Sequence, residues 1–128
     1  MAEKGERDRA LGALWGLALG DALGMPTQTM TRAEIASVYG RVEGLVDATA
    51  DQPVSHGMPA GSVTDDTEQA LLIGRLLVEG GGVVAPGRLA DALVEWERDM
   101  RTRNADDLLG PSTRRAIDAI LAGADPRT

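Results

Sequence analysis

Gly61-Ser62-Val63-Thr64-Asp65-Asp66-Thr67-Glu68-Gln69-Ala70 sets two adjacent carboxylates between two hydroxyls, at the head of an apolar run. That run, Ala70, Leu71, Ile73, Gly74, Leu76 and Leu77, has helical spacing and predicts a helix with a mostly buried face. Its first turn has two readings. Thr is a preferred N-cap residue and acidic groups complement the helix dipole, so Thr64, Asp65, Asp66 and Glu68 make a well-capped helix start. The same oxygens form a hard, anionic cluster suited to Mg²⁺, Mn²⁺ or Ca²⁺. Spacing alone favours the cap.

The surrounding composition decides the class of fold. With 128 residues there is room for one domain with a modest core; 43% of the residues are hydrophobic but only 2% aromatic, and Phe is absent. A core of Leu, Val, Ile and Ala favours packed helices, because strand-rich domains lean on aromatic and β-branched side chains. A net charge of −7 and a pI of about 4.6 argue against a surface that neutralises phosphates, so no nucleic-acid partner is expected. The absence of cysteine excludes disulfides and thiolate metal sites. The apolar stretch from Ala10 to Gly20 is too short to span a bilayer, and the mixed charges of Met1-Ala2-Glu3-Lys4-Gly5-Glu6 are unlike a secretory signal. The expectation is a cytoplasmic protein with no membrane partner.

Upstream, Arg7 to about Leu23 predicts a helix with an apolar stripe of Leu11, Leu14, Trp15, Ala18, Ala22 and Leu23. Gly12, Gly16, Gly20 and Gly24 recur along it. Each interior glycine costs about 0.5–1 kcal/mol relative to alanine, and close approach of a second helix would compensate. Asp21 lies on or beside that face, either as a buried hydrogen-bond acceptor for neighbouring amides or as part of a site. Pro26 ends the helix, and Thr31 with Glu34 forms a capping box for a short helix through Val38. Residues 40–63 carry scattered Gly and Pro without periodicity, and a loop of that length inside a domain is usually functional. His56, alone in that loop, reads as a surface or hydrogen-bonding residue.

Downstream, Gly80-Gly81-Gly82 stops the Thr64 helix. Pro86 opens another helix with Leu89, Leu93, Trp96 and Met100 as core positions, followed by a polar loop from Arg101 to Asp107. Gly110-Pro111 starts the last helix, with Ala116, Ile117, Ile120 and Leu121 on its buried side. Arg114 and Arg115 read as a solvated basic turn rather than a phosphate contact.

Three separated segments, Gly16-Leu17-Ala18-Leu19-Gly20-Asp21-Ala22-Leu23-Gly24-Met25-Pro26, the stretch Gly61 to Glu68, and Leu109-Gly110-Pro111-Ser112-Thr113-Arg114, together resemble the N-terminal part of the ADP-ribosylglycohydrolase family. The resemblance implies an all-α, orthogonal helical fold. It also implies a hydrolase that cleaves the glycosidic bond of an ADP-ribosyl or related ribosyl group with two Mg²⁺ or Mn²⁺ ions. It assigns Thr64, Asp65 and Asp66 as metal ligands, with Asp21 and Thr67 as supporting neighbours, and makes an ADP-ribosylated protein or a small ADP-ribosyl compound the partner. Many members carry Glu where this chain has Gln28, and Gln cannot serve as a general base, so no catalytic residue is assigned. The Asp-x-Asp-Thr segment that completes the site in the family is not found after Thr113. Residues 1–128 are therefore expected to be the N-terminal part of a single domain, incomplete and inactive alone. Exposed apolar faces would await a missing C-terminal half or self-association. Two other classes compete: a non-catalytic helical binding module derived from the same fold, and an all-α, Mg²⁺-dependent enzyme acting on diphosphates. The latter needs a second acidic motif, for which only Asp106-Asp107 is on offer.

Overall fold

The computed structural model describes residues 4–105 and 108–127. Among the described residues the chain is all helical: α1 (Lys4–Gly24), a 3₁₀ turn (Met25–Thr27), α2 (Arg32–Tyr39), α3 (Asp65–Glu79), α4 (Pro86–Thr102) and α5 (Pro111–Leu121). It divides into two compact units, Met1–Glu68 and Gln69–Thr128, with the boundary inside α3. Among the described residues no helix is long and apolar enough to cross a membrane.

Local signals set the helix ends. Pro26 sits in the 3₁₀ turn, where its missing N–H does no harm, and α1 gives way there. At α2 the Thr31 hydroxyl accepts from the Glu34 amide while Glu34 Oε2 accepts from the Thr31 amide at 2.6 Å, the reciprocal capping box. The Thr31 hydroxyl also donates to Glu34 Oε2 at 2.7 Å, and that bond, with the one from the Thr31 amide, lowers the Glu34 carboxyl below its ordinary value. Pro86 and Pro111 each open their helices at the first position, after Ala85 and Gly110.

In the first unit, Ala22, Met25 and Pro26 are buried at the α1 terminus together with Ala48, Gln52 and Ser55 from the long loop. The loop contains no regular element, but it is tied down. Ala48 N donates to Met58 O (2.9 Å), Gly57 N to Thr49 O (2.9 Å), Ala60 N to Asp47 Oδ1 (2.7 Å), and Tyr39 Oη to Asp47 O (2.9 Å). His56 is exposed. In the second unit the core is Met100, Leu109 and Ile117, with Leu93, Val94 and Trp96 from α4 packed around it. Glu97 is buried on α4 and pairs with Arg101 one turn on, so its charge is not left unmatched.

Several expected faces are not covered. Of the α1 stripe only Ala22 is buried; Leu11, Leu14, Leu23 and, at 66% exposure, Trp15 are open. On α3, Leu76 is buried but Leu71, Ile73 and Leu77 are exposed, and on α5 Ile117 is buried while Ala116 and Leu121 are exposed. Periodicity identifies apolar groups that share a face, and it does not supply what covers them. The polar loop begins later than expected, since α4 continues to Thr102.

The glycine row is also corrected. A Cβ added at Gly12, Gly16, Gly20 or Gly24 would meet nothing within 4 Å, so within the first unit no second helix lies against them. Gly12→Ala and Gly20→Ala are therefore each expected to raise stability by about 0.5–1 kcal/mol through helix propensity alone. A lowered melting temperature in either variant would reveal a neighbour packed on that strip.

Candidate functional site

Asp21, in the last turn of α1, gathers the start of α3. Its Oδ2 accepts from the Thr64 amide (2.7 Å) and the Thr67 hydroxyl (2.5 Å), and its Oδ1 accepts from the Thr64 hydroxyl (2.7 Å). Thr64 and Thr67 are both buried and Asp21 is half-buried. A carboxylate removed from bulk water needs such donors, and two hydroxyls and an amide supply them. Of the two readings of Asp21, the acceptor role is the one the hydrogen bonds display, with hydroxyls joining the amide.

Thr64 has a second set of bonds. Its carbonyl accepts from Glu68 N (3.3 Å), and its Oγ1 accepts from Asp66 N (3.4 Å). These are the bonds of an N-cap. Because the hydroxyl proton is committed to Asp21, anything else that meets this oxygen meets only lone pairs. The capping bond from Asp66 N thus leaves a lone pair of this oxygen open. The first turn of α3 adds the half-buried Asp65 and the exposed Asp66.

A cavity of about 540 Å³ adjoins this cluster. Asp21, Thr64 and Asp66 line it, and so does Gln28. Asp65 and Thr67 are not among its lining residues. Gly16, Gly20 and Gly24 bring bare α1 backbone to the wall, beside Leu17 and Met25. Gly16, which sequence periodicity assigns with Gly12 to helix packing, therefore lies on a cavity wall instead, as do Gly20 and Gly24.

Gln28 is held from both sides. It has φ −58°, ψ 140° and is followed by Thr29 at φ 65°, with Met30 N donating to Thr27 O at 3.1 Å, the conformation of a type II turn. Its carbonyl accepts from Gln52 Nε2 (2.6 Å), and Gln52 Oε1 accepts from the amides of Val54 (2.6 Å) and Ser55 (2.7 Å). Ser55 Oγ donates to Met25 O at 2.8 Å. Sequence reasoning misses Gln52 and Ser55 because the bonds that tie them to the α1 terminus reach across 24 and 30 residues, beyond any local pattern.

The donor set around Thr64 is made of hard oxygens, which is what Mg²⁺ or Mn²⁺ takes. It falls short of a complete shell: among the described residues no group of three or more His, Cys, Asp or Glu side chains converges. Asp106 and Asp107, the other acidic pair, lie outside the described residues. Arg115, exposed, donates to Ser112 Oγ at 3.2 Å.

Comparison with known proteins gives this arrangement a context. The profile of the family described as ADP-ribosylglycohydrolase matches residues 2–128. The ADP-ribosyl-(dinitrogen reductase) glycohydrolase of Rhodospirillum rubrum is 37% identical over 110 residues, which cover 86% of this chain and 34% of that protein. ADP-ribosylarginine hydrolase Tri1 of Pseudomonas putida (strain GB-1) is 34% identical over 118 residues, 89% of this chain and 28% of that protein. The protein YegU of Escherichia coli (strain K12) is 30% identical over 116 residues, 91% of this chain and 34% of that protein. The chain thus spans about a third of the length of the curated relatives it matches. With the match running across nearly all of its residues, the chain belongs to the ADP-ribosylglycohydrolase family.

Proposed function

We propose that residues 1–128 are the N-terminal part of a single ADP-ribosylglycohydrolase-like domain. In it Thr64, Asp65 and Asp66 hold divalent cations, Mg²⁺ or Mn²⁺, for hydrolysis of an ADP-ribosyl glycosidic bond. The observation that carries the reading is the anchoring of Thr64 and Thr67 on Asp21. It presents a lone-pair-only hydroxyl oxygen next to two carboxylates, at the edge of a cavity. Two relatives bear names that specify ADP-ribosyl groups, on dinitrogen reductase and on arginine, so an ADP-ribosylated protein is the substrate class proposed.

Bound divalent cations would supply Lewis acidity toward ribose oxygens and water. The chain's own residues do the rest. Asp21 fixes the orientation of Thr64 and orders the first turn of α3, which keeps Asp65 and Asp66 at consecutive positions of one turn. Three hard oxygen donors leave room in a cation's coordination shell for other ligands. Glycosyl hydrolysis proceeds through an oxocarbenium-like state, in which positioning and negative charge near the sugar matter more than a strong nucleophile. Gln28 has no proton-accepting carboxylate, so it is not the general base.

Calorimetric titration of the purified chain with MnCl₂ tests the cation assignment. Binding is expected in the parent and is expected to be lost in Asp65→Ala/Asp66→Ala. Equal affinity in the two proteins would sink it, and would favour a helical binding module that keeps the fold without the cations.

A further inference from the structure

We infer that Gln28 positions substrate by donating a hydrogen bond from its side-chain amide to a substrate oxygen in the cavity beside Asp21; this rests on the proposed reading of the site as one for ADP-ribosyl groups. The Gln28 Nε2 is shut off from water and has no hydrogen-bond partner among the described residues. Such a donor has given up its hydration for nothing inside the folded chain, and a group in that state calls for an acceptor from outside. Gln28 lines the cavity wall, and the last torsion of a carboxamide is soft, so its nitrogen can swing toward the opening at little cost.

The surroundings make this a placed group. The Gln28 backbone is pinned by the Gln52 side chain at its carbonyl and by the turn through Thr29. A β-branched residue at positive φ is costly, and here it fixes the residue directly after Gln28. Asp21, another acceptor in the same cavity wall, already receives three hydrogen bonds from Thr64 and Thr67. Asp66 is exposed and lines the same cavity. A sugar hydroxyl can donate to a carboxylate while accepting from an amide, so Asp66 and Gln28 offer a ribosyl group both halves of that pairing.

A carboxylate in place of the amide would remove the donor and add a third acidic group to a wall that holds Asp21 and Asp66. That change would oppose the diphosphate of ADP-ribose and favour a cation. The two effects have opposite signs, and a purely structural role for Gln28 would produce neither.

The test is calorimetry on the purified chain with two probes, ADP-ribose at saturating Mg²⁺ and MnCl₂ alone, for the parent, Gln28→Ala and Gln28→Glu. Gln28→Ala is expected to weaken ADP-ribose about tenfold, as loss of one hydrogen bond does, and to leave Mn²⁺ affinity unchanged. Gln28→Glu is expected to weaken ADP-ribose further and to tighten Mn²⁺. If both variants bind ADP-ribose as the parent does, or lose only melting temperature, Gln28 is structural and the inference is overturned. A parent that binds no ADP-ribose overturns it as well. The cation reading is then judged separately by the Asp65→Ala/Asp66→Ala titration.

Discussion

Asp21→Ala is expected to destabilise the first unit by about 3 kcal/mol, while Asp21→Asn costs about 1 kcal/mol. The alanine variant strips the partner from two buried hydroxyls and from the Thr64 amide in one step. Hydrogen bonds to a charged acceptor contribute about 1.5–3 kcal/mol each, but bonds that share one carboxylate do not add fully, so the total stays near the upper single value. Asparagine keeps one carbonyl oxygen, enough for the Thr64 amide and the Thr67 hydroxyl, which both meet Oδ2. Its –NH₂ then faces the Thr64 hydroxyl, which can turn from donor to acceptor. Urea denaturation followed by far-UV circular dichroism checks the order. Equal stability of the parent and Asp21→Ala would mean that the carboxylate does not hold Thr64 and Thr67 to the end of α1.

The Asp21→Asn variant also separates stability from site chemistry. With the asparagine –NH₂ donating to it, the Thr64 oxygen has a lone pair occupied that the native aspartate leaves open. The fold is then largely kept while the oxygen loses capacity for the cation binding proposed above. A fold explained by capping alone would not make that distinction, because the N-cap bonds to Asp66 N and Glu68 N survive in both variants.

How far these features can be read from sequence depends on the distance over which each interaction acts. The capping box of Thr31 and Glu34, the proline starts at Pro86 and Pro111, and the core position of Met100 are local or periodic, and each is found where the pattern places it. Thr64 and Asp21 each stand out in the sequence, but that one receives the other's proton is a contact across 43 residues that no spacing rule contains. The glycines show the opposite failure. Their period is plain, yet the same period serves a tight helix crossing and an open cavity wall, and only the empty space beside Gly16, Gly20 and Gly24 separates the two. Helical spacing is likewise silent on cover: Trp15 and Leu71 lie on the apolar stripes of α1 and α3 and remain exposed, in line with the expectation of open apolar faces.

The long loop, residues 40–63, leads to the second large effect. Gln52 is 2% exposed, and its side chain bonds to backbone at Gln28 O, Val54 N and Ser55 N. It acts as a clamp between the loop and the turn that carries Gln28. Gln52→Ala leaves a carbonyl and two amides without partners in partly or fully buried surroundings, each worth about 1–3 kcal/mol when the group cannot regain water. Some of the loop will yield and let water in, so the expected loss is about 3 kcal/mol rather than the full sum. Gln52→Glu keeps the acceptor for Val54 and Ser55 but sets an oxygen against the Gln28 carbonyl, so it should disturb the Gln28 end alone. Hydrogen exchange resolves the two. Gln52→Ala should speed exchange at both the Val54 and Ser55 amides, whereas Gln52→Glu should leave them protected. If neither variant changes exchange or stability, the loop is held by its own turns, and the support it gives Gln28 is not needed.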